Sequence, residues 1–162
     1  MTITNVYGRY GFPVVLAVLA AAMPCTAVAQ NRDADLTQVK AVLDEYKASW
    51  EQMDAKRGEK LFASGARIFD NGEDQRSFDY YVNRHIGPEL AVFKTFTFHH
   101  KTMNVEWQGA VALGTETYRY TIVTDKGETI ERQGVSTSIL KKVGGRWMIT
   151  SMHSSNRKAK AE

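Results

Sequence analysis

Apolar positions recur along this chain with two different periods, and the change between them divides it. Leu36, Val39, Leu43, Tyr46, Trp50 and Met53 stand three or four residues apart, the spacing that gathers side chains on one side of a helix. Asp35 with Gln38 reads as an N-cap and its capping-box partner. Lys40, Asp44, Lys47 and Glu51 then fall on the opposite, solvent side. The stripe is wide and aromatic, which suits a helix lying across a sheet. Gly58 to Ala63 reads as a short helical piece, and Ala66 to Asp70 as a short strand stopped by the Asn71-Gly72 turn. A second helix runs from Ser77 through Phe78, Tyr81, Val82 and Ile86 until Gly87-Pro88 breaks it, with one more turn from Glu89 to Phe93.

From Lys94 onward the period is two. Thr95 to Trp107, Ala110 to Val123, Glu128 to Lys142 and the segment after Gly145 alternate as strands. Gln108-Gly109, Asp125-Lys126-Gly127 and Gly144-Gly145 turn the chain between them. Strict alternation places Trp147, Ile149, Ser151 and His153 on one face of the last strand, and Met148, Thr150, Met152 and Ser154 on the other. Helices followed by an antiparallel meander predict an α+β domain with the N-terminal helices packed on one face of a sheet.

Residues 1–29 do not share this pattern. Arg9 stands in a leader without acidic residues, Phe12 to Met23 is apolar apart from Pro13, and the segment ends in Ala27-Val28-Ala29. This is the anatomy of a cleaved secretory signal peptide, with cleavage expected after Ala29. Its apolar core of about twelve residues falls short of the roughly twenty that span a bilayer. The expectation is an exported protein, periplasmic or secreted, with no membrane span after cleavage. Cys25, the only cysteine, leaves with the signal, so the mature chain forms no disulfide and no thiolate metal site. Residues 30–156 then make one domain, and 157–162 a flexible basic tail. The whole chain has 21 basic and 18 acidic residues; without Arg9 the balance is nearly even. No basic patch interleaved with aromatics stands out, so no nucleic-acid partner is expected.

Several stretches carry a family resemblance. They are the first helix with Tyr46, Trp50 and Asp54; Leu61-Phe62 and Ile68-Phe69; and Tyr80-Tyr81 with His85-Ile86-Gly87-Pro88-Glu89. The closing block is Gly134-x-x-Thr137-x-Ile139-Leu140-Lys141, Gly145-Arg146-Trp147-x-Ile149 and His153-Ser154-Ser155. Together they resemble the NTF2-like superfamily, in particular its SnoaL-like and DUF4440-like members and the association domain of calmodulin-dependent kinase II. The resemblance implies a cone: a strongly curved antiparallel sheet wrapped against the long helix, with a pocket inside and, in many members, a homodimer through the outer sheet face. Members include isomerases, dehydratases, cyclases, binding modules and assembly domains, so the fold alone assigns no function. The Asp base and Tyr–Asp oxyanion hole of the steroid-isomerase-like members have no place on these positions. The His, Asp and Tyr set of the dehydratase members finds only His85, His153 and Tyr80 as counterparts.

Candidate chemistry concentrates on a few side chains. Glu116 shares its strand face with small, aromatic and aliphatic residues, so a desolvated acid–base carboxylate and a carboxylate paired with Arg119 or Arg132 are both open. Arg132 inside a cone would bind a carboxylate or a developing oxyanion through its fork of donors. His153 is a pocket base or a histidine bonded to a neighbouring element. Tyr80, His85, Tyr118 and Trp147 are expected to line the pocket; His85 stands at its mouth with Tyr80 and Asp70, or simply caps its helix. His99 and His100 do not read as a metal pair, since adjacent strand residues point to opposite faces. No metal or other cofactor is expected. Three functions follow: a module that binds a small, partly apolar molecule; a cofactor-free isomerase or hydro-lyase with Glu116 or His153 as base and Arg132 or a tyrosine stabilising negative charge; or a dimeric assembly module.

Overall fold

The computed structural model of the chain describes residues 26–160. The expected signal segment, with Cys25, lies outside them up to that point, as do the last two residues of the tail. Helix α1 spans Thr26–Glu51. It therefore begins well before Asp35, which sits inside the helix and does not cap it. Val39, Leu43 and Tyr46 are buried on its inner face as their spacing predicts. Lys47 is buried with them, at 3 % exposure, and not turned to solvent. Adjacent helical positions differ by about 100°, so a stripe wide enough to cover a sheet takes in the residue next to Tyr46.

Asp54 caps a 3-10 helix, Ala55–Leu61, its side chain accepting from the Arg57 amide at 3.2 Å. Strand β1 (Phe62–Asp70) follows and turns at Asn71-Gly72 into β2 (Glu73–Arg76). Both turn residues have positive φ, 50° and 87°, the requirement of a tight hairpin turn. The turn expected to stop the strand thus adds a partner to it. Ser77 caps α2 (Phe78–Tyr81), and a π-helical turn, Val82–Ile86, leads into α3 (Gly87–Leu90). Gly87-Pro88 does not break the helix. Pro88 falls in the first turn of α3, where a missing N–H costs nothing.

The long strands are β3 (Phe93–Gln108), β4 (Val111–Thr124), β5 (Thr129–Val143) and β6 (Arg146–Lys158). They form the expected antiparallel meander, and the sheet has six strands in the order β2-β1-β6-β5-β4-β3. β1 runs parallel to β6, so the first strand of the domain lies beside the last. Arg157 and Lys158 belong to β6, paired with Gln133 and Arg132. The segment read as a tail therefore begins as strand.

Two bulges decide which side chains face α1. In β6 Leu140 pairs with Ile149 and Ile139 with Ser151, which leaves Thr150 as the extra residue. Its hydroxyl donates to the Ile139 carbonyl at 3.1 Å. Trp147 and Ile149 point inward before the bulge, and Met152 and Ser154 after it, so the alternation changes phase. In β3 one extra residue lies between His99 and Thr102, with His100 at φ 47°. Phe96 and Phe98 face inward on one side of it, Met103, Val105 and Trp107 on the other. The result is one helix laid across a curved, unclosed sheet. Gly114 of β4 lets them approach: a Cβ there would lie 2.7 Å from a Leu43 methyl.

Candidate functional site

Between α1, the α2–α3 segment and the sheet is a cavity of about 360 Å3. Its wall is aromatic. Trp50 meets Phe96 edge-on at 5.4 Å, Phe96 stacks on Tyr120 at 4.9 Å, and Tyr118 stands edge-on to Phe98 at 5.2 Å. Gly134, across from Tyr118 in the β4–β5 register, makes this possible, because the Tyr118 ring fills the space a Cβ would take. Tyr46 and Tyr81 also line the cavity; both are buried, their hydroxyl oxygens included, and neither hydroxyl meets a hydrogen-bond partner among the described residues. Burial pushes the phenol pKa of both well above the ordinary value, so they are neutral donors. Burial raises the pKa of Tyr118 and Tyr120 as well, opposed at Tyr120 by the charge of Arg132.

Polar groups enter the wall at three places. Asp70, at the end of β1, accepts from the Ser154 hydroxyl at 2.6 Å and from the Asn71 amide at 3.3 Å. His85 Nε2 lies 3.5 Å from Asp70 Oδ2 and 3.5 Å from Glu89 Oε1. Its other nitrogen is 3.5 Å from the Gln75 amide nitrogen, and its ring stacks on Tyr81 at 5.4 Å. Tyr81, His85 and Glu89 are each four residues apart, and the π turn carries His85. Burial raises the Glu89 carboxyl above the usual range, against the attraction of His85. The second place is Lys47, whose Nζ donates to Glu116 Oε2 at 3.0 Å; Ser136 Oγ donates to the same oxygen at 3.0 Å. The third is Arg132 on β5, half-buried beside Tyr120. No carboxylate pairs with it among the described residues.

The expected site residues divide accordingly. His85, Tyr118 and Arg132 line the cavity, and Asp70 accompanies His85 as expected. Glu116 is buried at 6 % exposure, but its partner is Lys47 in place of Arg119 or Arg132, and it stands behind Lys47 and Ser136. His153 is corrected: the bulge at Thr150 turns it to the outer face of the sheet, where it is exposed, opposite Thr137. Tyr80 is also outside, lying under the Arg76 guanidinium at 4.8 Å. The neighbouring Tyr81 takes the inner position. Trp147 is buried away from the cavity; its Nε1 donates to Asp35 at 3.0 Å and its ring meets Trp107 at 5.4 Å. Lys47, Tyr46 and Glu89 were missed, and a wider inner face on α1 was the signal for the first two. His99 and His100 are both exposed. Among the described residues no group of three His, Cys, Asp or Glu could hold a metal ion, and no helix is long and apolar enough to cross a membrane.

A family model of the SnoaL-like domain matches residues 39–157. The chain belongs to this family. The SnoaL-like assignment covers α1 from Val39 and every strand, which is the part of the chain that encloses the cavity. An NTF2-like superfamily protein from Salmonella enterica superposes with a TM-score of 0.67 at 17% identity, over 85% of this chain and 96% of that one. A candidate scytalone dehydratase from Novosphingobium aromaticivorans gives 0.69 at 11% identity, over 83% and 93%. A candidate ketosteroid isomerase from Shewanella frigidimarina gives 0.60 at 25% identity, over 71% and 92%. The fold is therefore that of the NTF2-like superfamily. No curated protein shows a significant match to the chain.

Proposed function

We propose that this SnoaL-like chain binds a small, flat, partly apolar molecule with an acidic end. Arg132, half-buried on the wall of an aromatic-lined cavity with no carboxylate partner among the described residues, carries the reading. Phe96, Phe98 and Tyr120 supply ring faces for the ligand's body. Arg132, lacking an acidic partner among the described residues, suits a carboxylate. 4-Methylbenzoate and 4-methylbenzyl alcohol, titrated by calorimetry, test this. The acid is expected to bind about tenfold more tightly, the worth of one charge-assisted hydrogen bond. Arg132→Gln is expected to abolish the difference. If neither compound binds, the reading fails.

A second reading, proton transfer on the bound molecule without a cofactor, is favoured by Asp70 and Glu89 flanking His85 on the cavity wall. These three replace Glu116 and His153 as acid–base residues of an isomerase or hydro-lyase. Exchange of ligand protons with deuterated solvent, lost in Asp70→Asn, would support it; a bound ligand that never exchanges would remove it.

A further inference from the structure

The Lys47–Glu116 pair is the feature of the cavity that binding leaves unused. Replacing a buried ion pair by apolar side chains is often neutral or stabilising, so stability alone does not account for one here. The Lys47 ammonium has three donors. One goes to Glu116 Oε2 at 3.0 Å, and the group otherwise faces aromatic rings, with the Tyr118, Phe98 and Tyr46 centroids at 4.7, 5.6 and 5.7 Å. An amine thus lies on the wall of a cavity, away from bulk water, with a carboxylate at proton-transfer distance. Ser136 holds that carboxylate in place from the other side. Burial lowers the Lys47 pKa, more than the charge of Glu116 raises it, and so enlarges the neutral, nucleophilic fraction.

We propose that Lys47 is a nucleophile that condenses with the aldehyde or ketone group of a small molecule held in the cavity, forming an imine. The proposal rests on the binding reading above. Glu116 first takes a proton from the Lys47 ammonium. The freed lone pair attacks the carbonyl carbon, the π electrons pass to the oxygen, and a proton moves from nitrogen to that oxygen, giving a carbinolamine. Glu116 then returns its proton to the hydroxyl, which leaves as water while the nitrogen lone pair closes the C=N bond. The product is an iminium with one N–H; one water is released, and Glu116 is again a carboxylate. Neither an oxidant nor a reductant is required.

4-Formylbenzoate, which joins a carbonyl to the ring and carboxylate of the expected ligand, is the probe. The wild-type chain is incubated with it and sodium cyanoborohydride, which reduces the imine to a stable amine, and labelled lysines are mapped by peptide mass spectrometry. Lys47 is expected to be labelled about tenfold faster than exposed lysines such as Lys40 and Lys94, as suits a desolvated amine. An excess of 4-methylbenzoate, which has no carbonyl, should protect Lys47 alone. Lys47→Arg should lose that label, and Glu116→Gln should slow it. Both variants are first checked for folding by circular dichroism, although the wild-type map decides the matter by itself. Labelling of exposed lysines only, while 4-methylbenzoate still binds, overturns the imine proposal and leaves the binding reading standing. Lys47 labelling that 4-methylbenzoate does not protect also overturns it. No Lys47 label together with no binding of 4-methylbenzoate removes both.

Discussion

Lys47 and Glu116 show how a residue's role depends on a partner remote in sequence. They are separated by 69 positions, yet bonded at 3.0 Å with almost no exposure. The single substitution Glu116→Ala is expected to cost about 3–5 kcal/mol, because it strands a buried ammonium. Lys47→Met combined with Glu116→Leu is expected to recover most of that loss, since both charges go together. Urea midpoints of the three proteins check this; equal losses in the single and double variants would contradict it. Tyr46→Phe and Tyr81→Phe should behave in the opposite way. Each removes a buried hydroxyl that has no partner among the described residues, so each is expected to raise stability by about 1 kcal/mol. Thermal unfolding checks this, and a lower melting temperature in both variants would contradict it. Neither pattern was legible from spacing: helical periodicity identifies a stripe, but only the opposing strand decides whether a charge at its border is buried.

Among the elements, helix α1, the four long strands and their Gly turns were legible, because each repeats its pattern over ten residues or more. The bulges were not. Each adds one residue to one strand, and the alternation on either side of it remains locally regular. His153 changed face for that reason alone, as Ser154 and Met152 took the inner side. β2 was missed because Glu73–Arg76 is short and polar, and its identity comes from the positive φ of Asn71 and Gly72. Gly134 gives a direct test of strand packing. Gly134→Ala would drive a methyl into the Tyr118 ring, with an expected loss of about 1–3 kcal/mol from overpacking. Its measurement is the urea midpoint, accompanied by a change in Tyr118 fluorescence or ring resonances.

Asp35 links α1 to the β5–β6 end of the sheet and makes stability depend on pH. Its carboxyl is held below the ordinary 3.8, first by the hydrogen bond from Lys142 and then by that from Trp147. A depressed acid contributes its stability in full above the unfolded value, and loses it as pH falls through the folded one. Asp35→Asn should therefore lower the melting temperature at neutral pH, with the gap from wild type narrowing as pH drops below 3.8. A gap independent of pH would contradict this.

At the scale of the molecule, the meander closes against the first strand through the parallel β1–β6 pair, and the curved sheet holds its cavity under α1. The family was legible because the closing block Gly145-Arg146-Trp147-x-Ile149 and His153-Ser154-Ser155 lies along a single strand and the turn that leads into it. The contents of the cavity were only half legible. His85, Tyr118 and Arg132 come from segments whose inner faces were clear, while Tyr46, Lys47 and Glu89 depend on how α1 and α3 seat against the sheet. The most direct measurement is the calorimetric titration of 4-methylbenzoate into the wild-type protein and its Arg132→Gln variant. Saturable one-to-one binding that weakens about tenfold in the variant is the expected result. Absence of binding to the wild type, or equal affinity in both proteins, would contradict an acid-binding cavity.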